Sequence, residues 1–215
     1  MGAADFLVAA CNREAVAWLD RWPDWPATAL VIHGAEGCGK THLTNVWRAQ
    51  SGAVPVDSSN LTTDSVPRLL GDASACFMEQ ADDGFDEEAL LHLYNLLAER
   101  GGHLLLTARG PASGWGIALP DLSSRLATAI DVTVGPPDDE LIAGVLVKHF
   151  ADRQVRVDPA VVGFLLARME RSFAAARRVV AALDAAGLAE KRPITVPLAR
   201  EVLRRIETEN EGRED

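Results

Sequence analysis

Gly34-Ala35-Glu36-Gly37-Cys38-Gly39-Lys40-Thr41 fits the spacing GxxxxGK[ST] without a gap. Ala29-Leu30-Val31-Ile32-His33 stands directly before it and reads as a short buried strand. A helix is predicted directly after it, from Lys40 to about Ala49. Strand, glycine-rich loop and helix in this order make a phosphate cradle. The glycines let backbone N–H groups curl around oxygens, and the helix N-terminus adds partial positive charge. In such a loop Gly34, Gly37, Cys38 and Gly39 line the phosphates, and Lys40 reaches the β- and γ-positions. The Thr41 hydroxyl binds Mg²⁺, and His42 follows on the first turn of the helix. Cys38 reads either as a reactive thiol at a helix N-terminus or as an inert small residue, with the second preferred.

Outward from this loop, strands alternate with helices. Phe6-Leu7-Val8 reads as extended, followed by a helix from about Asn12, its predicted N-cap, to Trp22. Val54-Pro55-Val56, Ala75-Cys76-Phe77-Met78-Glu79, His103–Thr107 and Ile130–Val134 supply four further strands. Asp86 to Arg100 is an amphipathic helix with acids at its start. This alternation predicts an α/β fold with a mostly parallel sheet covered on both faces. After Gly135-Pro136-Pro137 only helices follow, over about 138–151, 158–170, 172–187 and 195–208, with Asp138, Asp158, Ser172 and Thr195 placed as N-caps. The expected organisation is an α/β nucleotide-binding domain over 1–136, a small helical lid over 137–208, and an acidic, disordered tail over 209–215.

The 215 residues carry 21 Lys+Arg against 31 Asp+Glu, a net charge of −10, which argues against grip on nucleic-acid phosphates as the main task. Cys11, Cys38 and Cys76 are odd in number and widely spaced, as free thiols of a reducing compartment would be. The five histidines show no metal-ligand spacing, and no stretch is long and apolar enough for a membrane span. A cytoplasmic protein is expected.

Several further positions bear on chemistry. Glu79 ends the third strand, where a P-loop protein places the carboxylate that holds Mg²⁺. Gln80 follows, and an amide can orient water but cannot accept its proton. Asp82 and Asp83 read either as acids that contribute beside Gln80 or as acids that solvate a turn, with the second preferred. Thr107, ending the fourth strand, either senses the γ-phosphate or bonds the backbone. Arg125 lies on a short helical segment before the last strand, where it either makes a salt bridge or projects toward a neighbour's phosphates. Arg177 and Arg178 lie on a helix of the lid and can fold over a nucleotide. Arg153, Arg156, Arg168 and Arg171 read as a solvated face.

Taken together, the sequence resembles the AAA+ ATPases of the bacterial DnaA initiator clade, and within it the Hda group. The resemblance rests on Phe6-Leu7-Val8 with Asn12 and Ala15, on the P-loop, on Tyr94-Asn95, and on Leu119-Pro120-Asp121-Leu122-Ser123-Ser124-Arg125-Leu126. It implies a five-stranded parallel sheet with a helical lid, ADP or ATP with Mg²⁺ as ligands, and Phe6, Leu7, Val8 and Asn12 beside the adenine. It matches Arg125 to an arginine finger that would complete the ATPase site of DnaA in trans. Glu79 stands where the clade has aspartate, Gln80 where it has a second acid, and Ala174 where it has a lid arginine that Arg177 could replace one turn later. The implied partners are DnaA and the DNA-loaded sliding clamp, the latter through a motif not present before Asp5; a homodimer or a mixed assembly with DnaA is compatible with a finger that serves a neighbour. Weak intrinsic hydrolysis and weak or no direct DNA binding are expected. A helicase loader or DNA-remodelling ATPase, and less readily a small P-loop kinase, are the alternatives.

Overall fold

The computed structural model describes residues 7–211, with side chains to residue 208. The chain divides between Gly135 and Pro136 into two compact units.

The first unit is built on five parallel strands: β1 (Ala29–His33), β2 (Val54–Pro55), β3 (Ala75–Met78), β4 (His103–Ala108) and β5 (Ile130–Thr133). Their order is β2-β3-β4-β1-β5. The three central strands are buried along their whole length, which is why their sequences are continuous apolar runs without a polar alternation. Helix α1 (Arg13–Asp20) precedes them, and α2 (Lys40–Ser51), α3 (Val66–Leu70), α4 (Glu87–Glu99) and α5 (Pro120–Ala127) connect them. Two apolar layers result. One gathers Val31, Cys76, Met78, Leu104 and Leu106 with Leu90, Leu93, Tyr94 and Leu97 of α4 and Leu122 and Leu126 of α5. The other gathers Leu30, Ile32, Phe77, Leu105 and Val132 with Leu43 and Trp47 of α2. Trp25 stacks on Trp47 with ring centroids 5.3 Å apart, and Trp22 meets Trp47 edge-on at 6.2 Å, which ties the turn after α1 to α2.

The second unit holds α6 (Asp139–Asp152), α7 (Pro159–Leu166), α8 (Phe173–Glu190) and α9 (Val196–Glu211) around a core that includes Leu146, Phe150, Leu165, Val180, Leu183 and Leu198. Asp138, Asp158 and Ser172 each accept from a backbone N–H of the first turn they precede, at 2.8, 2.8 and 3.1 Å. The arginines here do more than face water. Arg171 forks onto Asp139, Arg153 donates to the His149 carbonyl and lies 3.7 Å from Asp184, and Arg168 covers the Phe164 ring at 4.3 Å.

Two readings of local sequence need correction. The five-residue α3 was not foreseen; it is too short for periodicity, and Pro67 masks it. Asn12 occupies the N-cap position of α1 but does not cap it. Its Oδ1 accepts from the Ala9 N–H (2.8 Å) and its Nδ2 donates to the Leu7 carbonyl (3.1 Å), so the amide ties the preceding segment back onto the helix instead.

Candidate functional site

The C-terminal ends of parallel strands lie on one side of a sheet, and loops leaving them converge there. The P-loop leaves β1, Glu79 leaves β3, and Thr107 lies near the end of β4, which is the strand between them. The register pairs Ile32 with Thr107 and Met78 with Leu106, so Glu79 and Thr107 are brought level beside the start of the P-loop.

The loop is fixed through its backbone. The Gly34 N–H donates to the Ala108 carbonyl at 3.2 Å, and a Cβ on Gly34 would collide with the Val134 carbonyl oxygen. Gly39 caps α2 at φ 104°, a left-handed conformation that costs other residues but not glycine. Lys40 Nζ donates to the carbonyls of Gly34 (2.6 Å) and Ala35 (2.9 Å) and lies 3.8 Å from Cys38 Sγ. The ammonium is thus held within its own loop, where an anion entering the cradle would meet it. Thr41 is exposed on the first turn of α2 and His42 is half-buried beside it. Cys38 is buried among Leu30, Ile32 and Leu43, as an inert small residue would be.

The donor set is compatible with Mg²⁺ on a nucleotide. Glu79 is half-buried and its Oε1 is buried without a hydrogen-bond partner, an arrangement costly for a carboxylate oxygen that nothing else satisfies. One carboxylate and one hydroxyl are few, but Mg²⁺ takes most of its ligands from phosphate and water. Among the described residues no group of three or more His, Cys, Asp or Glu could hold a metal on its own.

Gln80 is exposed and left-handed (φ 53°, ψ 44°). Its N–H donates to Thr107 Oγ1 at 3.3 Å and its carbonyl accepts from the Asp83 N–H at 3.0 Å, which pins this unfavourable backbone. Thr107 is buried; as an acceptor from Gln80 it keeps its own O–H proton to donate.

Asp82 and Asp83 do not merely solvate a turn. Asp82 Oδ2 accepts from both the backbone N–H and Nε of Arg109 at 3.0 Å each, and Asp83 Oδ1 accepts from Arg109 Nη2. Arg109 was not singled out in the sequence; an arginine two residues beyond Thr107 and two acids beyond Gln80 were the available signal. Glu36 of the P-loop adds to the field around it. At the far edge His33 Nε2 bonds Asp131 Oδ1 (2.8 Å) and approaches Thr133 Oγ1 (3.3 Å), a satisfied histidine between β1 and β5.

Arg125 is exposed in the last turn of α5, and no acidic side chain pairs with it among the described residues. The salt bridge that its sequence context allowed is not formed with any described residue. Leu7 and Val8 are exposed, and Phe6 lies outside the described residues. Arg177 and Arg178 are exposed on α8 of the helical unit, as is Ala174.

The fold is that of the AAA+ domain of DnaA. Domain III of DnaA from Thermotoga maritima superimposes with a TM-score of 0.81 over 94% of this chain and 95% of that one, at 17% identity. DnaA from Aquifex aeolicus bound to AMPPCP gives 0.72 over 98% of this chain and 69% of that one, at 14% identity. The Thermotoga maritima RuvB branch-migration motor gives 0.71 over 90% and 67%, at 14% identity. Residues 138–203, in the helical unit, match the lid domain of Hda. The chain thus has the AAA+ fold of DnaA domain III, and its helical unit is similar to the lid domain of Hda. Among the described residues no helix is long and apolar enough to cross a membrane.

Proposed function

We propose that this protein is an adenine-nucleotide-binding regulator of replication initiation that promotes hydrolysis of DnaA-bound ATP by offering Arg125 in trans. The observation that carries the reading is an exposed guanidinium in the last turn of α5, without an acidic partner among the described residues, in a chain whose own water-handling position is Gln80. A guanidinium is charged at every relevant pH and presents a planar fork of donors, suited to charge that develops on a transferring phosphoryl group. Gln80 orients water but takes no proton from it, so the protein's own site holds nucleotide and turns it over slowly. Lys40 and the loop N–H groups bind the phosphates, Thr41 and Glu79 hold Mg²⁺, and Leu7 and Val8 with Phe6 border the base. Mg²⁺, when bound, would neutralise phosphate charge. The AMPPCP held by DnaA structures of this fold supports an adenine nucleotide here. The Hda-like lid supports DnaA as the partner.

The test mixes DnaA loaded with ATP with wild-type protein or with Arg125→Ala and follows phosphate release, while calorimetry follows ADP binding. We expect Arg125→Ala to lower the stimulated rate by about 10³-fold and to leave ADP affinity unchanged. Full stimulation by the variant would refute the finger. Strong DNA-stimulated hydrolysis by the protein alone would favour a DNA-remodelling motor instead.

A further inference from the structure

The segment that follows β3 runs against the end of β4 and the segment that follows it. The Gln80 N–H meets Thr107 Oγ1, Asp82 and Asp83 hold Arg109, and the Phe85 and Trp115 rings meet edge-on at 6.1 Å. The last contact in this series is made by Glu87, in the first turn of α4. Its Oε1 accepts from the Ala118 N–H at 3.0 Å and its Oε2 from the Leu119 N–H at 2.6 Å. First-turn acids of a helix ordinarily serve their own helix dipole. This carboxylate instead grips two successive N–H groups 31 and 32 residues away in the chain.

Those N–H groups belong to the entry into α5, which has no cap of its own. Leu119 occupies its N-cap position without a side-chain hydrogen bond, and Pro120 follows at the start of the helix. The helix is eight residues long and is fastened to the core by Leu122 and Leu126, one turn apart on a single stripe. Such a stripe resists lifting but resists tilting weakly, whereas a bidentate carboxylate at one end fixes the tilt. With the Leu119 end released, α5 would tilt on the Leu122–Leu126 stripe; Arg125 lies three residues beyond Leu122, roughly 4.5 Å along the axis, and its long side chain lengthens the arm, so a tilt of about 10° moves the guanidinium by roughly 1 Å. A misplacement of that order is enough to cost a catalytic group much of its effect.

We propose that Glu87 is a positioning residue for Arg125: it sets the pitch of α5 and so the place at which the guanidinium meets a partner's phosphates. This rests on the finger reading of Arg125. Two features distinguish positioning from mere stability. The loss should appear in the plateau of stimulated hydrolysis and not in the concentration that half-saturates it. It should also vanish in a background that lacks Arg125, because Glu87 has no other route to the reaction.

The experiment titrates full-length Glu87→Ala, Glu87→Gln, Arg125→Ala and the Glu87→Ala/Arg125→Ala double variant against ATP-loaded DnaA, with circular dichroism melts on each. Glu87→Ala should lower the plateau about tenfold at unchanged half-saturation and unchanged ADP affinity. Glu87→Gln keeps one acceptor oxygen and the side-chain volume and should fall about threefold. The double variant should match Arg125→Ala. A wild-type plateau for Glu87→Ala beside an inactive Arg125→Ala overturns the positioning role and leaves the finger standing. An active Arg125→Ala sinks the finger first, so the two failures are distinct. If Glu87→Ala does not fold, a wild-type plateau for Glu87→Gln overturns the proposal in its place.

Discussion

The P-loop and α5 are held in place by different means. In the P-loop, position is built into the main chain: Gly34 lies against the Val134 carbonyl, Gly39 turns left-handed into α2, and the lysine folds onto carbonyls five and six residues back. The determinants are local, and a change at any of them strikes the site itself. In α5 the proposed acting side chain, Arg125, is exposed, and the contacts that hold its surroundings come from elsewhere: Glu87 from α4 and, further up the same segment, Asp82 and Asp83 on Arg109. One region is specified by conformation and the other by long-range contact. Changes in the first should therefore act on binding and folding, and changes in the second on the geometry offered to a partner.

The largest effect expected of that division, beyond the loss on Arg125→Ala, is a Lys40→Ala variant that binds ADP roughly 100-fold more weakly. That is the scale of a lost charge-assisted hydrogen bond to phosphate. The ligand-free melting temperature should barely move, because the two carbonyls that Lys40 leaves can turn to water at a half-exposed loop. Calorimetry and a melt on the same sample check both halves. Unchanged affinity would remove the P-loop from the account altogether.

Glycines sharpen the comparison next. Gly34→Ala forces a methyl group against backbone, which cannot rotate away, and should cost about 3 kcal/mol by urea denaturation as well as nucleotide binding. Gly114, on the approach to α5, has nothing within 4 Å of the position a Cβ would take, and no left-handed φ. Gly114→Ala should stay within about 0.5 kcal/mol of wild type and keep full stimulation of DnaA. Equal penalties at the two sites would mean that the approach to α5 is as rigidly specified as the loop.

The same division explains what could be read from the sequence. The five strands, the P-loop and the lid caps Asp138, Asp158 and Ser172 were legible because each is signalled by its own neighbours: an apolar run, a glycine spacing, a short polar residue before a helix. Arg125 stood out in the sequence as a candidate site, but its lack of an acidic partner among the described residues was not legible there. Glu87 looked like an ordinary acid opening a helix, and Asp82 and Asp83 like turn residues, because their partners lie 26 to 32 residues away and leave no local trace. Asn12 shows the same limit at short range. Its type suits a cap, but its amide had Leu7 and Ala9 to satisfy and took those instead.

The smallest effect concerns Asp82, and its sign follows from its surroundings. Burial alone would raise the Asp82 carboxyl, but hydrogen bonds from the Arg109 side chain and backbone, with the attraction of its charge, outweigh burial and hold it below the usual carboxylate range. A carboxyl depressed on folding stabilises the protein at every pH above its unfolded value of about 3.9, and that contribution is lost as the pH falls through the folded value. Arg109 has 64% of its side chain exposed, so solvent and salt reduce the pair and the effect should be modest. Urea midpoints of wild type and Asp82→Asn should therefore differ by a constant small amount from pH 7 to about pH 5 and converge only below about pH 4. The gap should narrow in about 1 M salt at neutral pH. Convergence near pH 6, or a gap that persists unchanged below pH 3, would mean that the link between the two segments rests on something other than this carboxylate.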